Sequence, residues 1–471
     1  MMTQAFENRL FLTLNGDRIS LKNVSPSMTL LQYLQQSRRT GTKEGCGDGD
    51  CGACTVAIVG RDPAGNPTYQ AVNSCLIPLG AIAGREIVTV EGIANGKLHP
   101  VQAAMVETGG SQCGYCTPGF IMSLFADYYT GNVDDYSVEG NLCRCTGYIP
   151  IRRAAQLVTN AQPSDQFSEQ LKQANLVLNS VTYRNDEQQF YRPTQLSEAL
   201  ELLQQHPDAT LVAGATDLGL EMSHYRQTFP ILISIEGVTE LQHIEQTIDL
   251  VTIGAAVPLH TIESNLHGVF PNLDEMLHWF AARQVRNRAT IGGNIGTASP
   301  IGDLPPVLLS LDAELTIANL TGTRTIPLID FFKGYRQTDL KLGEIIVSVT
   351  ISKSISENAV QRLAQSYKIG KRGTDDISIV AAAFVIDLDS DNNIIHARLG
   401  YGGVAATPVR AIAVENTLIG QPWTMATIQQ VKPLLREAFT PLTDLRGSAD
   451  YRKLLVANLF EKFFVEMEGE S

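Results

Sequence analysis

Three cysteines crowd one short run, Cys46-Gly47-Asp48-Gly49-Asp50-Cys51-Gly52-Ala53-Cys54, and a fourth, Cys75, follows further on. The pattern C-x4-C-x2-C with a distant C is the plant-type spacing of a [2Fe–2S] site. Two irons bridged by two sulfides need four thiolates converging on an object a few ångströms across. A short loop supplies three of them only if its backbone curls around the cluster with N–H groups turned inward. Glycine permits such a curl because it tolerates positive φ, and Gly45, Gly47, Gly49 and Gly52 are spaced to provide it. Inward N–H groups also stabilise charge on the sulfurs. A four-cysteine zinc knot competes, but such knots use two short CxxC-like pairs, not a glycine-rich three-cysteine loop.

The other four cysteines lie in Gln112-Cys113-Gly114-Tyr115-Cys116 and Asn141-Leu142-Cys143-Arg144-Cys145-Thr146-Gly147. A CxxC and a CxC from different helix ends can again gather four thiolates on one metal centre, either zinc or a second [2Fe–2S] cluster. The iron–sulfur loop just upstream favours the second cluster. Thr117-Pro118 starts a helix, so Cys113 and Cys116 are expected to face an N-terminal dipole that favours thiolate.

All eight cysteines of the 471-residue chain fall between Cys46 and Cys145. In a reducing cytosol such clustering means metal rather than disulfides. A net charge of −13 argues against nucleic acid and anionic membrane surfaces as partners. No run approaches the roughly 18 apolar residues of a membrane span. The N-terminus, MMTQAFENRL, lacks a basic region followed by an apolar stretch, so no secretory signal and a cytoplasmic location are expected.

The elements around the cysteines can be read in outline. Leu10–Leu14 alternates, Asn15-Gly16 is a type I′ hairpin signal, and Arg18–Leu21 continues the alternation. Met28–Gln36 predicts a short amphipathic helix with Ser27 as its N-cap. Strands are expected at Thr55–Val59, Gln70–Asn73 and Glu86–Val90, which makes residues 1–92 a small sheet unit of β-grasp type. Helical periodicity at Val101–Glu107, Phe120–Tyr129 and Arg152–Thr159 marks a helical domain over residues 93–162. Residues 163–188, rich in Gln, Asn and Ser, read as a linker, with a partly helical linker as the alternative.

Beyond it, helix Leu196–Gln205 and strand Thr210–Val212 lead into Ala213-Gly214-Ala215-Thr216-Asp217. A small-residue turn after a strand lets backbone N–H groups approach phosphates, and an ordinary strand–helix turn has the same pattern. A second glycine stretch runs from Thr290-Ile291-Gly292-Gly293-Asn294 to Gly302-Asp303. Two such loops without lysine can cradle a pyrophosphate; neither G-x-G-x-x-G nor a Walker A sequence occurs. Strands such as Ile394–Tyr401, with helices Ala426–Phe439 and Asp450–Phe464, close the chain as an α+β domain.

These motifs carry a resemblance. QCGYCTPG and NLCRCTGY behind the first cysteine loop, then TLVAGATD and TIGGNIGTASPIGD with Trp279-Phe280 just before the latter, resemble the xanthine oxidase family of molybdenum hydroxylases over nearly the whole chain. The resemblance implies a multidomain α+β fold. Its parts would be a β-grasp plant-type [2Fe–2S] ferredoxin domain (1–92), a helical-bundle [2Fe–2S] domain (93–162), a vanillyl-alcohol-oxidase-type FAD domain (189–358) and an α+β C-terminal flavoprotein domain (359–471). It implies two [2Fe–2S] clusters, one on Cys46, Cys51, Cys54 and Cys75, the other on Cys113, Cys116, Cys143 and Cys145. It implies one non-covalent FAD, wrapped by Leu211, Val212, Ala213, Gly214, Ala215, Thr216 and Asp217 and by Thr290, Ile291, Gly292, Gly293 and Asn294. Phe280 would pack on the flavin or adenine, Asp303 would bond polar cofactor atoms, and Ile346 and Lys368 would touch FAD. Without the resemblance, Phe280, Ile346 and Asp303 read as core aromatic, core strand residue and helix cap. Gln112 would lie close to the pterin of a partner. Tyr335, Arg336 and Thr338 would line the nicotinamide side of the flavin. Arg372 and Asp375 would belong to the loop that decides between NAD+ and oxygen; a solvated charged loop is the plainer alternative for them.

The same resemblance implies the electron-transfer subunit of a bacterial-type enzyme that oxidises hypoxanthine and xanthine to urate. The chain ends at Ser471, where full-length members continue into a molybdopterin-binding region. A large molybdenum-binding subunit is therefore expected as partner, in a heterotetramer of two small and two large chains. Electrons would pass from the partner's molybdenum through the Cys113/Cys116/Cys143/Cys145 cluster, then the Cys46/Cys51/Cys54/Cys75 cluster, to FAD and on to NAD+. No catalytic residue for purine chemistry is expected in this chain. Two other classes of reading stay open: a related hydroxylase acting on an aldehyde or N-heterocycle, and a chain that is no hydroxylase, either a stand-alone iron–sulfur flavoprotein diaphorase or a zinc-stabilised binding module.

Overall fold

The computed structural model describes residues 6–94, 96–160 and 163–469. Two compact units divide the chain: one comprises 1–239, 258–261 and 281–289, the other 240–257, 262–280 and 290–471. Among the described residues no helix is long and apolar enough to cross a membrane.

The first unit opens with β1 (Arg9–Leu14) and β2 (Asp17–Lys22), paired antiparallel from Arg9↔Lys22 to Leu14↔Asp17. Asn15 and Gly16 take φ of 53° and 86°, both left-handed as a type I′ turn requires. Leu10, Leu12 and Leu14 turn inward, because side chains alternate along a strand. α1 (Leu30–Gln36) is capped by Thr29 and not by Ser27. The Thr29 hydroxyl accepts from the Gln32 N–H while the Gln32 side chain accepts from the Thr29 N–H. Only Thr29 has a Gln three residues on to complete this reciprocal box; Ser27 is buried and accepts from the Gln188 amide instead. β3 (Thr55–Arg61), β4 (Pro67–Asn73) and β5 (Glu86–Val88) complete a sheet of order β2-β1-β5-β3-β4.

α2 (Pro100–Glu107), α3 (Thr117–Tyr128) and α4 (Ile149–Val158) each carry Pro in the first turn, where a missing N–H costs nothing. The helices therefore begin ahead of their periodic stretches. α3 is buried from Gly119 to Tyr128 and centres this part of the unit. The segment expected to be a linker holds structure: α5 (Gln166–Gln173), capped by Asp165, and β6 (Val181–Arg184). Phe167 is buried against Tyr69, Phe125 and Tyr129, and Leu171, one turn on, packs against the same core; two apolar positions in an otherwise polar stretch make a short pattern. β6, β7 (Gln189–Arg192), β8 (Thr210–Val212) and β9 (Ile231–Ser234) form a sheet of order β6-β7-β9-β8, accompanied by α6 (Leu196–Gln205) and α7 (Leu218–Ser223).

In the second unit β10 (Ile244–Gln246), β11 (Leu250–Gly254), β12 (Glu314–Asn319), β13 (Gly322–Pro327) and β16 (Ile345–Ser352) make a sheet of order β10-β11-β16-β12-β13. Between β13 and β16 lies a small hairpin, β14 (Phe332–Gly334) with β15 (Gln337–Thr338). β17 (Gln361–Ile369), β18 (Val380–Leu388), β19 (Ile394–Gly402) and β20 (Val409–Arg410) form a second sheet. β18 is buried along its whole length, and Phe384 packs on Tyr401, Phe460 and Phe463.

Candidate redox-cofactor sites

The first cysteine loop joins α1 to β3, and Cys75 reaches it from the turn after β4. Gly47, Gly49 and Gly52 take φ of 76°, 91° and 64°, a curl that a side chain would strain. Gly45 serves space rather than curl: a Cβ there would sit 2.5 Å from Cys51 Sγ. The Cys46 N–H donates to Cys51 Sγ and the Cys51 N–H to Cys46 Sγ, both at 3.2 Å. Cys54 Sγ and Cys75 Sγ stand 3.3 Å apart, both buried beside Leu31 and Leu76. The thiols thus meet in twos. A two-iron cluster asks for this, since each tetrahedral iron holds two bridging sulfides and two thiolates. Among the described residues no three Cys, His, Asp or Glu side chains gather as a single-ion site. Without a counter-charge, one thiolate of a pair hinders the other's ionisation. The bond between Cys46 and Cys51 pushes the Cys46 thiol far up and holds Cys51 at about 6. The bond to Cys54, together with burial, pushes Cys75 well up. Ferric iron would supply the missing positive charge, and the donor set fits a [2Fe–2S] cluster.

The second set has the same arrangement. Cys113 stands against Cys145, and Cys116 against Cys143. The Thr146 hydroxyl lies 3.2 Å from Cys143 Sγ, and the Cys145 and Thr146 N–H groups donate to that sulfur at 3.4 Å. Burial raises Cys143, but these groups outweigh it and hold the thiol at about 7. The Tyr115 N–H draws Cys113 down. Cys116 departs from the helix-dipole expectation: it is the N-cap of α3, yet burial and Cys143 push it up to about 12. Desolvation outweighs a helix end here. Cys113, Cys145 and Gln112 are exposed, so this set has a solvent-facing edge.

The two loops are joined. The Leu142 N–H, directly before Cys143, donates to the Cys51 carbonyl at 3.0 Å. Asn141 Nδ2 donates to the Gly52 carbonyl at 3.0 Å, and its Oδ1 accepts from Ser123 Oγ at 2.7 Å and Gln284 Nε2 at 3.2 Å. The approach leaves no room for a side chain: a Cβ on Gly52 would lie 2.1 Å from the Gly140 carbonyl. On the other side, the Leu76 carbonyl would lie 2.1 Å from a Cβ on Gly219, so α7 is seated on the residue after Cys75.

The residues expected to hold FAD fall in both units. In the first, Leu211 and Val212 end β8 and Ala213–Asp217 turns into α7, with Ala215 at φ 66°. Gly214 is pressed on the chain below it, its Cβ position 1.8 Å from the Arg288 carbonyl. In the second, Thr290 caps the short helix Ile291–Gly296 by accepting from the Gly293 N–H at 3.0 Å. A Cβ on Gly292 would meet Ala255 at 2.5 Å. Asn294 Oδ1 is buried with no hydrogen-bond partner, an acceptor that only a donor from outside the chain can satisfy. Asp303 and Lys368, expected separately, form a buried ion pair at 2.9 Å, and the Ser378 hydroxyl also donates to Asp303. Ile346 is buried on β16, and Phe280 is half-buried after the helix Pro271–Trp279. Both loops have the tight backbone turns and small residues that fit a flavin nucleotide, and the second adds an orphaned acceptor.

Tyr335 and Arg336 form the tip of the β14–β15 hairpin, Tyr335 exposed and Arg336 at φ 50°, with Thr338 paired to Phe332. Arg324 anchors the chain beyond through Asp339 and Glu344, each at 2.7 Å. In the loop at 371–376 Arg372 donates to the Asp375 carbonyl at 3.0 Å. The organising acid is Asp376, whose carboxylate accepts from the Lys371, Arg372 and Ile377 N–H groups. These outweigh burial and hold Asp376 below the usual carboxylate range. Asp375 and Asp376 are neighbours in sequence, and only the backbone path decides which one turns inward.

Two four-thiol loops and two small-residue cradles define an iron–sulfur flavoprotein scaffold. Residues 12–79 match a 2Fe-2S iron-sulfur cluster binding domain and 89–156 a [2Fe-2S] binding domain. Residues 185–353 match the FAD binding domain in molybdopterin dehydrogenase, and 365–467 the CO dehydrogenase flavoprotein C-terminal domain. The xanthine dehydrogenase of Emericella nidulans is 32% identical over 98% of this chain, and xanthine dehydrogenase 1 of Arabidopsis thaliana 33% identical over 96%. This chain spans 39% of the length of each. Among solved structures, carbon monoxide dehydrogenase from Hydrogenophaga pseudoflava is similar at 30% identity and a TM-score of 0.54, over 58% of this chain and 94% of that one. Quinoline 2-oxidoreductase from Pseudomonas putida 86 is similar over the same shares, at 27% identity and a TM-score of 0.53. The chain belongs to the xanthine oxidase family of molybdenum hydroxylases and carries its iron–sulfur and FAD-binding modules.

Proposed function

We propose that this chain is the electron-transfer subunit of a xanthine dehydrogenase, working in the cytoplasm with a large molybdenum-binding subunit and passing electrons to NAD+. The observation that carries this reading is the hydrogen bond from Leu142 to the Cys51 carbonyl, which links one four-thiol loop directly to the other. When bound, the clusters carry single electrons and FAD converts between one- and two-electron chemistry. The protein's own part is spacing and orientation. Cys113, Cys116, Cys143 and Cys145 would hold the cluster at the exposed edge, with Gln112 toward the partner's pterin. Asn141 and Leu142 would fix its distance from the Cys46, Cys51, Cys54 and Cys75 site. Residues 211–217 and 290–294, with Phe280, Asp303, Ile346 and Lys368, would hold FAD; Tyr335, Arg336, Thr338, Arg372 and Asp375 would meet NAD+. The domains would follow the bounds 1–92, 93–162, 189–358 and 359–471, and two such chains would join two large ones.

Similarity to carbon monoxide dehydrogenase and quinoline 2-oxidoreductase favours one other reading, the equivalent subunit of a hydroxylase with a different substrate. Co-expression with neighbouring gene products, metal analysis and a xanthine/NAD+ assay separate the two. About four irons per chain, a co-purifying molybdenum chain and NADH formation from xanthine support the first reading. The same composition with turnover of another heterocycle or aldehyde supports the second. Two irons per fully loaded chain would defeat the two-cluster scheme in both.

A further inference from the structure

Three guanidinium groups stand around one carboxylate in the first unit. Glu236 lies in the turn just past β9. Arg85 donates to it from the turn before β5, and Arg288 donates to both its oxygens, the Nη2–Oε2 bond at 3.1 Å. Arg192, 1% exposed, faces the same cluster while donating to the Ala83 and Asn179 carbonyls at 2.8 and 3.1 Å. Arg288 is 4% exposed, and its Nε has no hydrogen-bond partner. Three positive groups against one negative leave a buried positive excess. Such an excess is costly in a protein interior unless an anion offsets it. Its strain shows on Arg192, which burial and then Arg85 push down to about 10.

The excess lies beneath the first glycine cradle. Val212 pairs with Ser234, so Ala213–Asp217 leaves β8 alongside the turn Ile235–Gly237 that carries Glu236. Gly214 rests on the backbone of Arg288 itself, and the buried Ser234 hydroxyl next to Val212 also lacks a partner. We infer that Arg85, Arg192 and Arg288 are the counter-charge for the diphosphate of FAD, and that Glu236 sets how much of that charge the ligand meets. The inference rests on reading residues 211–217 as an FAD loop. A dinucleotide diphosphate is a dianion, the sign and size this cluster lacks. A guanidinium field in a water-poor cradle acts across several ångströms without direct contact.

Titration of the flavin-stripped, cluster-loaded full chain with FAD and with riboflavin, which has the ring system but no diphosphate, tests this. Arg288→Gln should weaken FAD about tenfold, the worth of one charge at partial screening, and leave riboflavin unchanged. Glu236→Gln breaks the same ion pair from the other side but adds positive charge, so it should bind FAD at least as tightly as the native chain. A merely structural pair would weaken FAD and riboflavin alike in both variants, and that result overturns the inference. Should Glu236→Gln not fold, Arg85→Gln decides: selective loss of FAD supports the counter-charge, parallel loss of both flavins overturns it. A native chain that binds no FAD refutes the flavin reading itself. A native chain that binds FAD while Arg288→Gln binds it equally well refutes only this inference.

Discussion

Replacing Asn141 with alanine removes a side chain that is 2% exposed and tied to several parts of the first unit. Its three best bonds go to the Gly52 carbonyl at 3.0 Å, Ser123 Oγ at 2.7 Å and Gln284 Nε2 at 3.2 Å. Each such bond contributes about 1 kcal/mol net, so their loss costs about 3 kcal/mol. Leaving the Gly52 carbonyl without its donor in a buried site adds roughly 1 kcal/mol. A loss near 4 kcal/mol is a large part of the ~5–15 kcal/mol that holds a domain together. The cysteines are untouched, so both clusters can still be loaded. The assay is urea unfolding of loaded protein, followed by cluster absorbance and far-ultraviolet circular dichroism. At a slope of about 2 kcal/mol per molar urea, the transition that releases the clusters should move down by about 2 M. Asn141→Asp keeps the acceptor bonds but sets a carboxylate oxygen against the Gly52 carbonyl, and should lose at least as much. A shift below about 0.5 M for the alanine variant would refute the reasoning, since the bonds between the loops would then hold nothing in place.

Three further outcomes are expected. Cys51→Ala should erase one of two reduced-state EPR signals and Cys143→Ala the other; one substitution erasing both in folded protein would remove the two-site assignment. Arg336→Ala should lower NAD+ turnover of the reconstituted complex about tenfold, the worth of one charge-assisted hydrogen bond, while dye-linked substrate oxidation falls much less; equal losses would withdraw the nicotinamide role. Asp387 is buried and accepts from Arg362 and Ser356, which outweigh burial and depress its ionisation. A carboxyl depressed in the folded state contributes stability above its unfolded value of about 4 and loses it as pH falls through the folded one. Asp387→Asn should therefore cost about 3 kcal/mol at neutral pH and flatten the acid limb of unfolding; an unchanged acid limb would show that other groups carry it.

What the sequence made legible was local. The Asn15-Gly16 turn, helix Leu196–Gln205 and strand Thr210–Val212 follow from residues within a few positions of one another. So does the glycine curl around the first cysteine loop. What it left hidden depends on distance along the chain. That Cys113 faces Cys145 and Cys116 faces Cys143 cannot be read from spacing, because two loops can mate in either order. Asn141, Gln284 and Arg288 look like ordinary polar residues until chain from far away is folded against them. Helix 166–173 within the expected linker was hard to read because Phe167 meets its pocket on α3 and β4 only in the folded chain. The choice of Asp376 over Asp375, and of Thr29 over Ser27, turned on backbone direction, which composition does not encode.

Segment 281–289 belongs to the unit that holds both cysteine loops, although the chain leaves that unit at residue 239. Gln284 bonds Ser123 and Asn141, Arg286 pairs with Glu139 at 2.6 Å, and Asn287 donates to the Ala71 carbonyl at 2.9 Å. For anyone wishing to excise a portable redox module, the obvious cut before residue 240 is the wrong one. A fragment ending there would keep every cysteine and lose the peptide that seals them. A usable module would need those nine residues supplied separately, as a grafted tail or as a second chain that complements the first.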